Sequence, residues 1–315
     1  MGAGLRILSV LTIALSLSMT ANAASTTAGR DLTQAYRDAY ADDCALGAAH
    51  IDVLRQHQVL LVPGYFSNLD PAYFAEQLRW FASIGVNREK VAIEPGQSAA
   101  INAKIVAAAI QKSQRPVILI THSKGSVDAL ETLRSEPSLR GKVHGWISLQ
   151  GAFFGSPVAD MLLDGSTLDP LLAIAVLGLI GGSAESARGL TTGASRAYYR
   201  NHKAAIDTIL REIPAVAFAS ALDGTRDGAR HKTQLEIPHE LMKRRGIRSD
   251  GLVPVDAAVL PGMNFVTVAG VDHIATVMPA AEHFDRIRMT RALLLLALES
   301  RFRNLPVDAA CRAKR

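Results

Sequence analysis

Short, mostly apolar runs recur along this chain at Val59-Leu-Leu-Val62, Pro116-Val-Ile-Leu-Ile120, Val143–Leu149, Pro214–Ala219 and Asn264–Val268, with helical stretches between them. Each is of strand length, and none alternates apolar with polar residues as a half-exposed strand does. A strand apolar on both sides needs cover on both faces. Alternation with helices supplies that cover, because a helix crossing over from one parallel strand to the next packs on the sheet. The pattern therefore predicts an α/β fold, with a mostly parallel central sheet and helices on both faces. Lys90-Val-Ala-Ile-Glu94 reads as a further short strand.

The connecting text is helical at several places. Asp70-Pro71 opens a helix with proline at a tolerated first-turn position. Its residues Tyr73, Phe74, Leu78, Trp80 and Phe81 are spaced to face a core. Ser98 to Lys112 reads as an alanine-rich helix, another begins near Gly125, and a long closing helix runs from about Pro279 to Phe302. The strand–helix rhythm breaks between about 155 and 212, where the text is helical throughout. Its apolar centre, Leu171 to Ile180, is too short to cross a bilayer, which takes about 20 residues. Asp223 to Asp250 reads as a polar loop, and residues 24–56 as an N-terminal arm with short helices ahead of a domain over 57–315. Hydrophobic residues make up 49% and charged residues 20%, which excludes wholesale disorder.

Residues 1–23 have a different character. Arg6 precedes the uncharged run Ile7 to Met19, and Ala21-Asn22-Ala23 places small residues where a signal peptidase reads. This is the order of an export signal cleaved after Ala23, so the mature chain is expected in the periplasm or outside the cell, with no transmembrane segment. The alternative is an uncleaved anchor. The two cysteines, Cys44 near the mature start and Cys311 near the end, suit a disulfide joining the termini in an oxidising compartment. The net charge of +5 is dispersed apart from Lys243 to Arg248, and no motif supports nucleic-acid binding.

The segment with the most chemistry is Thr121-His122-Ser123-Lys124-Gly125, between a predicted strand and a predicted helix. A serine on so sharp a turn is lifted off the sheet, in a backbone that needs small neighbours two residues away. Gly125 supplies one; Thr121 stands where glycine is commoner. The turn also sets the Lys124 N–H at a helix N-terminus, aimed at a developing oxyanion. This stretch resembles the nucleophile elbow of the α/β-hydrolase superfamily, and the order of segments over roughly 57–300 is similar to that of bacterial triacylglycerol lipases and esterases.

The resemblance implies an α/β-hydrolase fold with a helical cap or lid at about 155–212, and Ser123 as nucleophile. Val62-Pro63-Gly64-Tyr65 resembles the lipase loop that supplies the second oxyanion donor, which falls on the Tyr65 N–H with Phe66 as neighbouring candidate. Here proline stands where lipases carry histidine. Ser249-Asp250-Gly251-Leu252-Val253-Pro254 resembles the acid loop, giving Asp250, with Asp223 and Asp227 as competitors near the preceding strand. His273, after the last strand in Gly270-Val-Asp-His273, is the implied base; His283 falls in the closing helix and His122 packs under the elbow. A serine hydroxyl needs such a base, and the base an orienting acid. Phe154-Gly155-Ser156-Pro157 resembles the turn from which a lipase lid departs. Ile274-Ala275-Thr276 stands where calcium-dependent lipases place an ion-binding aspartate, so no obligatory calcium is expected. The remaining histidines lack paired ligand spacing, and no cofactor is expected.

The expected function is an exported serine hydrolase cleaving hydrophobic carboxylic esters through an acyl-enzyme. Phe66, Phe153 and Phe154 are candidates for the acyl pocket, with Tyr198 and Tyr199 as further aromatics, and peripheral contact with lipid surfaces is compatible. Two other readings stay open. One is an acyltransferase with the same triad; the other is a non-catalytic exported lipid-binding protein of this fold.

Overall fold

The computed structural model describes residues 28–68, 70–164, 184–222, 233, 235–280 and 283–305. The export signal with its cleavage site at Ala23, the run Leu171–Ile180, the competitors Asp223 and Asp227, and Cys311 lie outside the described residues.

Six strands form one sheet: β1 (Gln58–Val62), β2 (Asn87–Lys90), β3 (Val117–His122), β4 (Val143–Leu149), β5 (Ala215–Ala221) and β6 (Asn264–Ala269). Their order is β2-β1-β3-β4-β5-β6, and every pairing is parallel. Successive side chains of a strand point to opposite faces. Accordingly Val59, Leu61, Ile118, Ile120, Ile147, Leu149 and Phe218 join one apolar cluster, and Leu60, Val62, Val117, Leu119, Trp146 and Ala217 the other. The first cluster is covered by α1 (Thr33–Ala41), α2 (Ala48–Arg55), α3 (Ala75–Ser83) and α10 (Arg286–Ala297). The second lies under α4 (Ala99–Lys112), α5 (Lys124–Ser135) and α8 (Thr192–Glu212). Between β4 and β5 stand α6 (Pro157–Asp164), α7 (Ala184–Arg188) and α8; α9 (Glu236–Lys243) follows β5, and α11 (Glu299–Phe302) closes the chain.

The order reverses between β1 and β3: the chain steps outward from β1 to β2, crosses back to β3, then runs outward the other way. At such a switch point the loops leaving the two carboxyl ends separate to opposite faces and open a crevice. Here those loops are Pro63-Gly64-Tyr65 and the Ser123 turn.

Several elements depart from the sequence reading. The helix expected from Asp70-Pro71 starts only at Ala75. Phe74 is held at a left-handed φ of 63° while its N–H donates to the Val277 carbonyl at 2.7 Å, which breaks the helical path. The second strand lies at Asn87–Lys90 instead of Lys90–Glu94, an edge strand paired only with β1, so little apolar character is demanded of it. The closing helix begins at Arg286, where the Asp285 carboxylate accepts from the Ile287 and Arg288 N–H groups at 3.1 and 2.8 Å. The polar stretch before Asp250 contains α9. The arm is more than a peripheral extension: Leu32 N–H donates to the Phe265 carbonyl at 2.7 Å and Phe265 N–H to the Arg30 carbonyl at 3.0 Å, which covers the β6 edge. Among the described residues no helix is long and apolar enough to cross a membrane.

Candidate active site

Ser123 sits between the end of β3 and the first residue of α5, with φ 53° and ψ −127°. A non-glycine residue there costs of order 1–3 kcal/mol, so the surroundings must hold it. They do so closely. A Cβ on Gly125 would come within 2.3 Å of the Pro63 carbonyl oxygen and 2.5 Å of that of Val62. A Cβ on Gly64 would meet the Ser123 Cβ at 2.9 Å. These two glycines let the β1 loop and the serine turn touch backbone to backbone. Ser123 N–H donates to the Leu149 carbonyl at 3.0 Å, tying the turn to β4.

Thr121, which stands where glycine was expected, is fully buried and useful. Its hydroxyl accepts from the Trp146 indole N–H at 3.0 Å and lies 2.8 Å from the Ser126 hydroxyl, which in turn accepts from Ser148 at 2.9 Å. The turn is braced from below by hydroxyl contacts in place of a glycine.

Asp250 and His273 meet. His273 Nδ1 lies 2.8 Å from Asp250 Oδ2, and both side chains are 1% exposed. The other carboxylate oxygen accepts from the Leu252 and Val253 N–H groups at 2.9 and 2.7 Å, so the carboxylate plane is fixed. His273 N–H donates to the Asp250 carbonyl at 2.9 Å. Asp272 caps the same turn by accepting from Ile274 and Ala275 at 2.9 and 2.7 Å, and burial raises its carboxyl above the usual range.

Ser123 and His273 line one small cavity together with Tyr65. Its remaining lining is Ala152, Ser156, Val158, Ala159, Ala187, Leu190, Leu252 and Val253, and its volume is about 40 Å³. Ligand pockets run to about 300 Å³ and more. Three larger surface grooves among the described residues, of about 500, 490 and 450 Å³, contain neither Ser123 nor His273.

The other expected site residues fall as follows. Tyr65 opens a short 3-10 turn, Tyr65–Asn68, beside the serine, and burial raises its phenol to about 12. Its hydroxyl meets that of Ser186 on α7, and the Lys124 ammonium lies 5.7 Å from its ring centre. Lys124 carries the first helical N–H of α5. Its side chain is buried against Asp128, Nζ to Oδ1 2.8 Å, and desolvation raises the Asp128 carboxyl to about 6. The side chain of Phe66 is outside the described residues. Phe153 and Phe154 are not among the residues that line the serine cavity. Phe153 turns under β4 onto Trp146, ring centres 5.8 Å apart, and Phe154 packs on Tyr199 at 5.1 Å, outside the cavity. Small and aliphatic residues take their place, because the chain after β4 presents Ala152 to the serine and its aromatics to the α8 side.

Two polar residues beside the pair escaped the sequence reading. Gln150, at a left-handed φ of 49°, donates to the Asp272 carbonyl at 2.9 Å and accepts from the Thr276 hydroxyl at 2.7 Å. Tyr73 contacts His122 beneath the serine. The positive-φ demand at Gln150 has no signature in residue type, and Tyr73 read simply as apolar. Among the described residues no three His, Cys, Asp or Glu side chains cluster as a metal site would.

No protein-family model matches this sequence, and no curated protein matches it. Solved structures do. A metagenomic carboxyl esterase superposes with a TM-score of 0.61 at 20% identity, over 78% of this chain and 76% of that one. A Bacillus licheniformis lipase in its mature form gives 0.56 at 20%, over 70% and 85%. The phospholipase PlaB from Legionella pneumophila, in complex with thio-NAD, gives 0.50 at 14%, over 82% and 60%. At these identities the likeness is one of fold.

Proposed function

Since the chain has the α/β-hydrolase fold, we propose that it is an exported serine hydrolase cleaving carboxylic esters with hydrophobic acyl groups. The observation that carries this reading is that His273, paired with the buried Asp250, lines one cavity with a serine in a strained backbone.

In this reading Ser123 Oγ attacks the ester carbonyl while His273 Nε2 takes its proton. Asp250 accepts from Nδ1, keeps the ring in the tautomer that frees Nε2, and stabilises the imidazolium. The oxyanion is met by the backbone N–H groups of Tyr65 and Lys124. His273 then protonates the departing alkoxide, and a water activated by the same imidazole releases the acid from the acyl-enzyme. The aliphatic lining of the cavity favours an apolar acyl chain.

The cavity of about 40 Å³ holds little more than water, so admission of substrate requires α6, α7 and the start of α8 to move as a lid. The same proposal places the chain outside the cytoplasm after cleavage near Ala23, with Cys44 and Cys311 joined, and allows the lid to meet lipid surfaces. Metal and cofactor have no part in it.

The test is turnover of a p-nitrophenyl ester panel of graded chain length, together with labelling by a fluorophosphonate probe. The wild type should hydrolyse and be labelled; Ser123→Ala, with an unchanged melting temperature, should lose labelling and several orders of magnitude in kcat. Ester turnover surviving in Ser123→Ala would refute the assignment. Added alcohol diverting most of the acyl group from water would instead indicate an acyltransferase.

A further inference from the structure

One buried hydroxyl joins the two halves of this site. Tyr73 and His122 are fully buried. The Gly64 N–H donates to the Tyr73 hydroxyl oxygen at 2.9 Å, and that hydroxyl lies 2.5 Å from His122 Nδ1. On the far side of the ring, His122 Nε2 lies 2.9 Å from the backbone carbonyl oxygen of His273.

The direction of each bond follows by elimination. An amide N–H can only donate, so the Tyr73 oxygen accepts from Gly64. Its own proton then goes to His122 Nδ1, which must be the bare nitrogen. The imidazole proton is therefore on Nε2, the one position from which the ring can donate to the His273 carbonyl. The opposite tautomer would set a lone pair against that carbonyl. Burial, with His273 nearby, holds the His122 imidazole well below its ordinary pKa, so the ring stays neutral.

We propose that Tyr73 and His122 are positioning residues for the reaction, a relay that sets the loop carrying the Tyr65 oxyanion donor and the backbone of the base His273 in one fixed geometry relative to Ser123. The relay runs through adjoining structure at every step. Gly64 precedes Tyr65, and a Cβ on it would touch Ser123. His122 precedes Ser123, and its ring centre lies 4.6 Å from that of His273. With Gln150 holding the Asp272 carbonyl and Asp250 accepting the His273 N–H, His122 completes a set of hydrogen bonds to three consecutive backbone groups of the base loop. Neither residue touches the reacting atoms; both act through the groups they hold.

This inference rests on the hydrolase reading, and the experiment separates the two. Tyr73→Phe removes only the hydroxyl. It should lower kcat roughly 10- to 100-fold with KM within about twofold, the size expected when a reacting group is displaced by a fraction of an ångström. Tyr36→Phe is the control: that hydroxyl is also buried, has no hydrogen-bond partner among the described residues, and lies on α1, so kcat should not change. His122→Gln, whose amide can still donate toward the His273 carbonyl, should retain more turnover than His122→Ala. Should Tyr73→Phe fail to fold, the imidazole ¹⁵N shifts of the wild type decide: His122 must show a bare Nδ1 and a protonated Nε2. Wild-type kcat in folded Tyr73→Phe, or the reverse tautomer, overturns the relay. Absence of ester turnover in the wild type, or its survival in Ser123→Ala, would instead overturn the hydrolase reading.

Discussion

Gly64→Ala is the most exacting substitution available here, because one methyl group tests the spacing between the β1 loop and Ser123, the proposed nucleophile. An ideal Cβ at 64 lies 2.9 Å from the Ser123 Cβ, 3.0 Å from the His122 carbonyl oxygen and 3.2 Å from the Tyr73 hydroxyl. Ordinary contact starts at 3.4 Å, so the overlaps are 3.4 − 2.9 = 0.5 Å and 3.4 − 3.0 = 0.4 Å. None of the three atoms is the loose end of a flexible side chain: two belong to the serine turn and the third to a buried ring. The loop must therefore back away from Ser123 by about half an ångström, carrying the Tyr65 N–H with it. Overpacking of this kind costs about 1–3 kcal/mol, or a melting temperature lower by roughly 2–4 °C for each kcal/mol in a chain of this size. The larger effect is on catalysis. A misplacement of about 1 Å costs on the order of 100-fold, so half of that should lower kcat at least tenfold while KM changes little. Gly193→Ala is the matched control: it lies in α8, a Cβ there meets nothing within 4 Å, and the melting temperature should rise. Circular-dichroism melts and steady-state ester hydrolysis on the three proteins suffice. Full kcat in Gly64→Ala would mean that the β1 loop does not carry an oxyanion donor.

Asp250→Asn keeps the shape of the acid and loses its charge. Because Oδ1 accepts from two backbone N–H groups, the amide oxygen stays there and the NH₂ faces His273 Nδ1. The ring is forced to bare Nδ1 and protonate Nε2, and kcat should fall by about 10⁴ with the fold retained, the size seen for the equivalent change in a serine protease. A smaller loss than tenfold would remove Asp250 from the mechanism. Part of a pH effect on stability, beside that of the buried His122, should come from the other end of the sheet, where His57 Nδ1 donates to the Val53 carbonyl at 2.8 Å and His57 Nε2 lies 3.1 Å from His144 Nδ1. Burial lowers both rings, His144 to about 4. The unfolded chain then binds the extra protons, so stability is complete above about pH 6.5 and declines as pH falls toward 4. Urea melts across that window should show a shallower decline in His144→Gln; an unchanged slope would exclude the pair as its source.

The strands and the two loops that bring Asp250 and His273 together were legible because each depends on residues close in sequence. An apolar run between turn signals has few alternatives, and a serine between a strand and a helix announces a strained turn. What sequence could not carry is the contacts that make the site rigid. Tyr73 reads as one apolar residue on a helix face, yet its hydroxyl meets a histidine 49 positions on, which in turn meets a carbonyl 151 positions further. Periodicity registers burial and is silent about which polar atom is satisfied by which. Phe153 and Phe154 are a related case. Their proximity to the site in sequence was real, but the side each ring takes is set by Trp146 below and Tyr199 beyond, on β4 and α8. The helix start missed at Asp70 was lost to a single hydrogen bond from Phe74 to Val277, a residue of the base loop. That bond has a consequence. The segment ahead of α3, which holds Tyr73, is tied to the base loop directly as well as through His122. The side of the cavity formed by β1, α3 and the base loop is thus cross-linked by buried hydrogen bonds. The opposite side presents the apolar side chains of Val158, Ala159, Ala187 and Leu190 to the cavity, with the Ser186 hydroxyl on α7 meeting that of Tyr65. Opening that side gives up chiefly apolar contact together with the Tyr65–Ser186 contact, whereas opening the Tyr73 side would orphan several buried polar groups at about 1–3 kcal/mol each. On this physical ground, the proposed hydrolase would admit its acyl chain on the α6–α8 side and keep its chemistry fixed on the other.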